Sequence, residues 1–175
     1  MNSQHLNEKK SHLGVDYFEK MHIIKNRKED EVAIMLIQFN FKNFRSFREE
    51  ATLDLSATKM TEFSERVVTI GREKILPVAA IYGANASGKS NIYSAFEYMA
   101  EYVVDSFKYG DEEEKFEEYR PTPFLFDSTS ADAESSFEVY FTIPGDKNEK
   151  TYNYGFCVDQ EGVTEEWLNS KAKTT

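Results

Sequence analysis

From position 34 onward, apolar and polar residues alternate in short bursts separated by turn-forming residues. Leu36, Phe39 and Phe41 open an apolar strand, Lys42-Asn43-Phe44-Arg45-Ser46-Phe47 makes a turn, and residues 51–56 alternate as an antiparallel partner. Val67-Val68-Thr69-Ile70, ahead of Gly71, adds a further short strand. The apolar run 78–82 ends at Gly83 and suits a buried parallel strand, with Pro77 at its start because a central strand tolerates proline poorly. Ile92, Ala95, Phe96, Met99 and Val103 then recur at helical spacing, which predicts a helix reaching about Phe107. The last third alternates again. Phe137, Val139, Phe141 and Ile143 form one set, Tyr152, Tyr154 and Phe156 a second, and 163–168 a third strand. Turn residues at 144–145 and 159–162 separate them.

These elements divide the chain in two. Residues 1–33 form a polar extension holding His5, His12 and His22, with Leu13, Val15, Phe18, Met21 and Ile24 able to line one short helix. The histidines read as exposed tail residues rather than metal ligands, since neither cysteines nor a matching acidic pair stand near them. Met35, directly before the first strand, is a candidate start of translation. Residues 34–175 read as one domain, with an acidic linker over 105–123 and an antiparallel meander over 135–170. Within the linker, Arg120-Pro121-Thr122-Pro123 reads as extended.

Composition narrows the class. The 175 residues suffice for one domain with a core. No apolar stretch approaches a membrane span, and the N-terminus does not read as a secretory signal. Cys157 is alone, which excludes an intrachain disulfide. It reads as a packed strand residue, and a reduced cytoplasmic setting is the default. The net charge of −10 argues against a broad nucleic-acid face on this segment. The acidic runs 111–114 and 117–118 read as a solvated loop. The tyrosines of the last third read as packing and cross-strand pairs in preference to a base-stacking platform.

The candidate chemistry lies in Gly83-Ala84-Asn85-Ala86-Ser87-Gly88-Lys89-Ser90, which fits the phosphate-binding pattern G-x-x-x-x-G-K-[ST] at every fixed position. A polyphosphate concentrates negative charge, so a loop that holds it must converge backbone N–H groups and keep side chains away. Gly83 and Gly88 allow that approach. Lys89 supplies a charge for the β- and γ-phosphates, Ser90 a hydroxyl for Mg²⁺, and the next helix its free N–H groups.

Phe39-Asn40-Phe41-Lys42-Asn43-Phe44-Arg45-Ser46-Phe47, a second strand and then Tyr82 to Asn91 resemble the start of ABC-class ATPases of the SMC, Rad50 and RecF kind. The closer resemblance is to prokaryotic AAA-type ATP-binding proteins related to overcoming-lysogenization-defect and abortive-infection ATPases. It extends through the segments 136–141, 152–156 and 165–168 and covers about Met35 to Leu168. It implies ATP and Mg²⁺ as cofactors, with Arg45 and Ser46 near the phosphates, Asn85 at the γ-phosphate region and Asn91 as part of the nucleotide-binding segment. It also implies an ATP-driven dimer or oligomer, and nucleic acid or a partner nuclease as what the complete ATPase acts with.

Such ATPases also need an aliphatic strand ending in Asp-Glu, a signature segment and usually a switch histidine, and none is recognisable here. The expectation is therefore an α/β fold, the N-terminal half of a P-loop NTPase domain, in which a P-loop strand and helix are flanked by antiparallel strands. Such a chain would bind Mg-ATP weakly and hydrolyse it little. A non-catalytic interaction module with a vestigial loop is the rival reading; a small kinase or GTPase is disfavoured by the antiparallel start and by the missing guanine-specific motif.

Overall fold

The computed structural model describes residues 34–57, 62–109, 119–143, 145 and 150–172, with side chains of 105–109 left out. The extension 1–33 with its histidines and the acidic runs of the linker lie outside the described residues. Five strands form one antiparallel sheet in the order β2-β1-β5-β6-β7: β1 (Met35–Lys42), β2 (Ala51–Asp54), β5 (Ser135–Thr142), β6 (Thr151–Val158) and β7 (Val163–Lys171). A small hairpin of β3 (Val68–Ile70) and β4 (Glu73–Ile75) turns at Gly71, whose φ of 62° suits glycine. It joins the main sheet's edge through Leu76 N–H to the Leu55 carbonyl and Ala57 N–H to the Lys74 carbonyl. Among the described residues the α-helices are a 21-residue one, α1 (Lys89–Tyr109), and a short one, α2 (Ser128–Ala131).

The period-2 pattern gives the sheet two unlike faces. Phe39 and Phe41 on β1 align with Val139 and Phe137 on β5, and these with Tyr154 and Phe156 on β6. This side is buried under α1. Phe96 meets Phe39 edge-on at 5.2 Å, Tyr98 tilts over Phe137 at 5.0 Å, and Tyr102 stacks on Phe156 at 5.0 Å. Ala95 and Met99 are fully buried between them. The helical spacing read from the sequence is therefore the face that packs, and each large ring removed from water adds roughly 1.5–3 kcal/mol of burial. Tyr154 directs its hydroxyl to Glu166 at 2.8 Å and Tyr152 stacks on Phe141, so both serve packing. Cys157 is buried, and burial pushes its thiol up to about 11, which suits a packing role.

The opposite face is polar. Glu138 accepts from Asn40 at 2.9 Å, from Asn153 at 2.8 Å and from the Trp167 indole at 3.3 Å. The indole lies across Gly155, its partner in register. A β-carbon at 155 would come within 2.4 Å of that ring and 2.8 Å of the Phe137 carbonyl, which is why this strand position needs glycine.

One expectation changes. The run 78–82 is not a strand: no described residue pairs with it, and Val78, Ile81 and Tyr82 are exposed. An extended segment becomes a strand only when a neighbour takes up its backbone N–H and C=O groups, and no described strand stands beside this one. The antiparallel strands flank α1 as expected, but the β1–β5 pairing across the long α1 crossover, and the hairpin strand β4, were not visible in the local pattern.

The turn after β1 is held from outside. Asn43 is buried with a left-handed φ of 52°. Its amide donates to the carbonyls of Ser130, Ala133 and Glu134, and its Oδ1 accepts from Phe124 N–H at 3.1 Å. Asp127 caps α2 through Thr129 and Ser130 N–H and pairs with Arg48 at 3.1 Å.

Two measurements check these contacts. Gly155→Ala lowers stability by about 1–3 kcal/mol, read by urea unfolding, because the Phe137 carbonyl cannot yield; an unchanged midpoint would contradict the packing. Hydrogen bonds from Thr129 and Ser130 hold the Asp127 carboxyl down from 3.8 to about 2. A lowered folded-state value contributes stability above 3.8 that fades as pH falls toward about 2. The melting temperature of the wild type therefore drops more steeply across that window than that of Asp127→Asn.

Candidate functional site

The glycine loop leaves the exposed segment 78–82 and closes in a tight turn, with Ser87 N–H bonded to the Ala84 carbonyl at 3.3 Å. Ala86 (φ 63°) and Gly88 (φ 87°) both adopt left-handed backbone, and α1 begins at Lys89. Asn91 N–H returns to the Gly88 carbonyl at 2.9 Å, which tightens the first helical turn. The Lys89 ammonium folds back over the loop, donating to the Gly83 carbonyl at 2.9 Å and to the Ala84 carbonyl, with Ser87 Oγ at 3.5 Å.

A cavity of about 200 Å³ opens above this turn, lined by Ala86, Ser87, Gly88, Lys89, Ser90, Asn91 and, from the distant β1–β2 turn, Ser46. Ser46 reaches it because Phe44 and Phe47 exchange both backbone hydrogen bonds, at 2.8 and 2.9 Å, leaving Arg45 and Ser46 at the tip. The Phe47 ring packs edge-on against Phe41 at 4.9 Å and covers Gly88. A β-carbon on Gly88 would stand 2.9 Å from Ser46 Oγ and 3.2 Å from that ring. Asn91 Nδ2 donates to Ser46 Oγ at 2.8 Å.

The structure thus brings together Ser46 and 86–91, and ties Gly83 and Ala84 in through the Lys89 ammonium. Asn85 sits exposed on the turn outside the cavity lining. Arg45 is also outside the lining: its backbone has a left-handed φ of 50°, its N–H bonds the Thr122 carbonyl at 2.7 Å, and its guanidinium lies 5.3 Å from the centroid of the Phe44 ring. Two residues the sequence reading treated as ordinary turn positions prove structural for the site: Phe47, the lid on Gly88, and Asn43, the buried anchor. The signal for Asn43 was its residue type, since asparagine is enriched in left-handed backbone.

A family model described as "AAA domain, putative AbiEii toxin, Type IV TA system" matches residues 78–175, which take in the glycine loop, α1 and the last three strands. The chain belongs to this family. No curated protein matches it. Membership in the AAA family assigns an ATPase-like, nucleotide-binding type of protein with an α/β fold. The match begins after the β1–β2 turn, so the family assignment rests on the loop and the elements C-terminal to it, while Ser46 enters the site through the tertiary structure. No described helix is long and apolar enough to cross a membrane, and no described cluster of three or more His, Cys, Asp or Glu residues could hold a metal ion.

Gly88 is the pivot of this geometry. Gly88→Ala strains a left-handed backbone and pushes a methyl into Ser46 and Phe47. Its expected outcome is a stability loss of about 1–3 kcal/mol in chemical unfolding, and a wild-type midpoint would show that the turn does not seat on the loop as described.

Proposed function

We propose that the chain binds ATP with Mg²⁺ through residues 83–90, as the phosphate-holding part of an ATPase. The observation that carries this reading is the cavity at the start of α1, where the loop's backbone, the Lys89 side chain and hydroxyls from two separate parts of the chain converge. The first N–H groups of a 21-residue helix and its dipole favour an anion there. Lys89 holds neutral carbonyls, an arrangement an incoming phosphate can displace because a charged acceptor binds an ammonium more strongly than a carbonyl does. Ser90 is exposed on the cavity wall and suits a hard cation that keeps most of its water. Mg²⁺, when bound, would neutralise part of the phosphate charge.

Among the described residues the lining does not include a carboxylate, so none of them offers a base to a water above the phosphates in this cavity. Phosphoryl transfer depends on such positioning as well as on charge. The chain therefore binds ATP and turns it over slowly. Association of two copies on ATP is the assembly the resemblance implies; nucleic acid or a nuclease as further partner rests on the same resemblance.

Titration of the 175-residue chain with a fluorescent ATP analogue and Mg²⁺ tests the reading. Lys89→Ala should weaken binding by about tenfold or more, the scale of a charge-assisted contact. Equal binding by wild type and Lys89→Ala, or none by the wild type, overturns it. Competition should favour ATP over GTP.

A further inference from the structure

Ser46 Oγ is held at the cavity by two things that come from different parts of the chain. From behind, the turn is fixed by the paired backbone bonds of Phe44 and Phe47, by the Arg45 N–H to the Thr122 carbonyl, and by the buried Asn43 amide. From the front, the first turn of α1 offers the Asn91 side chain, whose Nδ2 donates to Ser46 Oγ at 2.8 Å.

The direction of this hydrogen bond sets what Ser46 can offer a ligand. A serine hydroxyl has one hydrogen to give and two lone pairs to receive. When Asn91 fills a lone pair, the hydroxyl hydrogen is left to donate elsewhere. Ser46 lines the cavity directly above Gly88, and the groups expected to enter there are anionic oxygens. Had the neighbour been an acceptor, the hydrogen would be taken and Ser46 would present lone pairs to a phosphate, which repel it.

We propose that Asn91 is a positioning residue that acts through Ser46: by donating to its oxygen it commits the Ser46 hydroxyl as a hydrogen-bond donor to a phosphate oxygen of the bound nucleotide. This rests on the proposed nucleotide binding and adds to it the side-chain donor that the antiparallel sheet contributes. The anion is then gripped from two sides, by the backbone and lysine at the start of α1 and by a hydroxyl carried on the β1–β2 turn. Nucleotide occupancy is thereby linked to the seating of that turn on Gly88.

The test is a double-mutant cycle on the full chain, with a fluorescent ATP analogue and Mg²⁺ as the probe and a thermal melt recorded for every variant. Ser46→Ala should weaken binding by about tenfold, the scale of a hydrogen bond to a charged acceptor, and Ser46→Thr, which keeps the hydroxyl, should restore most of it. Asn91→Ala should weaken binding about threefold when Ser46 is present and leave it unchanged when Ser46 is already alanine. Asn91→Asp should be worse than Asn91→Ala, because the carboxylate takes the hydroxyl hydrogen. In the Ser46→Ala background the Asp substitution retains only its charge repulsion, so its penalty should shrink.

A simple brace between turn and helix would instead move the melting temperature and leave no dependence of the Asn91 effect on the Ser46 hydroxyl. Additive effects, or wild-type binding by Ser46→Ala, overturn the proposal while Lys89→Ala still reports on the nucleotide site. Loss of the Lys89 effect, or no binding by the wild type, overturns the functional reading and this inference together.

Discussion

Burial of one side of α1 on the phenylalanine face of the sheet fixes the position of the glycine loop. The loop itself is exposed along most of its length and has few contacts of its own to hold it. It is placed because Ala95, Met99 and Val103 are sealed against Phe39, Phe137 and their neighbours, so the first turn of the helix has one location relative to β1. Small residues at 95 and 100 let the helix approach closely enough for Tyr98 and Tyr102 to lie on Phe137 and Phe156. The cavity inherits its geometry from that contact.

The second constraint is the β1–β2 turn. It carries backbone strain, with left-handed φ at both Asn43 and Arg45, and such strain persists only where the surroundings over-determine it. Here they do. The Asn43 amide is saturated by carbonyls of the 130–134 segment, Ser135 Oγ donates to the Asn43 carbonyl at 2.6 Å, and Phe47 is pressed between Phe41 and Gly88. The turn is thus a rigid arm that brings a hydroxyl to the glycine loop. The glycine at 88 serves two needs at once, a left-handed backbone and room for that arm.

Local periodicity was enough to read β1, β2, α1 and the β5–β7 meander, because alternation and helical spacing are written in neighbouring residues. The sequence reading failed at 78–82 for a physical reason. An apolar run bounded by proline and glycine looks like a buried strand whether or not a partner strand exists, and pairing is a property of two segments. It also could not show that β5 returns beside β1, or that Gly155 is needed by Trp167 in the adjacent strand. At the site, the loop 83–90 was legible as a contiguous pattern. Ser46 was placed near it by resemblance alone, while Arg45, placed with it on the same ground, is drawn to Phe44 and Thr122.

The sequence by itself determined the contiguous glycine-loop pattern at 83–90 and the helix that follows it, since both are written in neighbouring residues. Only the tertiary structure decided which of two adjacent turn residues faces the cavity, what holds it there, and that Asn91 donates to its hydroxyl oxygen. Those depend on Asn91 and Gly88 meeting Ser46 and Phe47, more than forty residues away in the chain. Such a meeting is set by packing a helix on a sheet, and no local pattern encodes it.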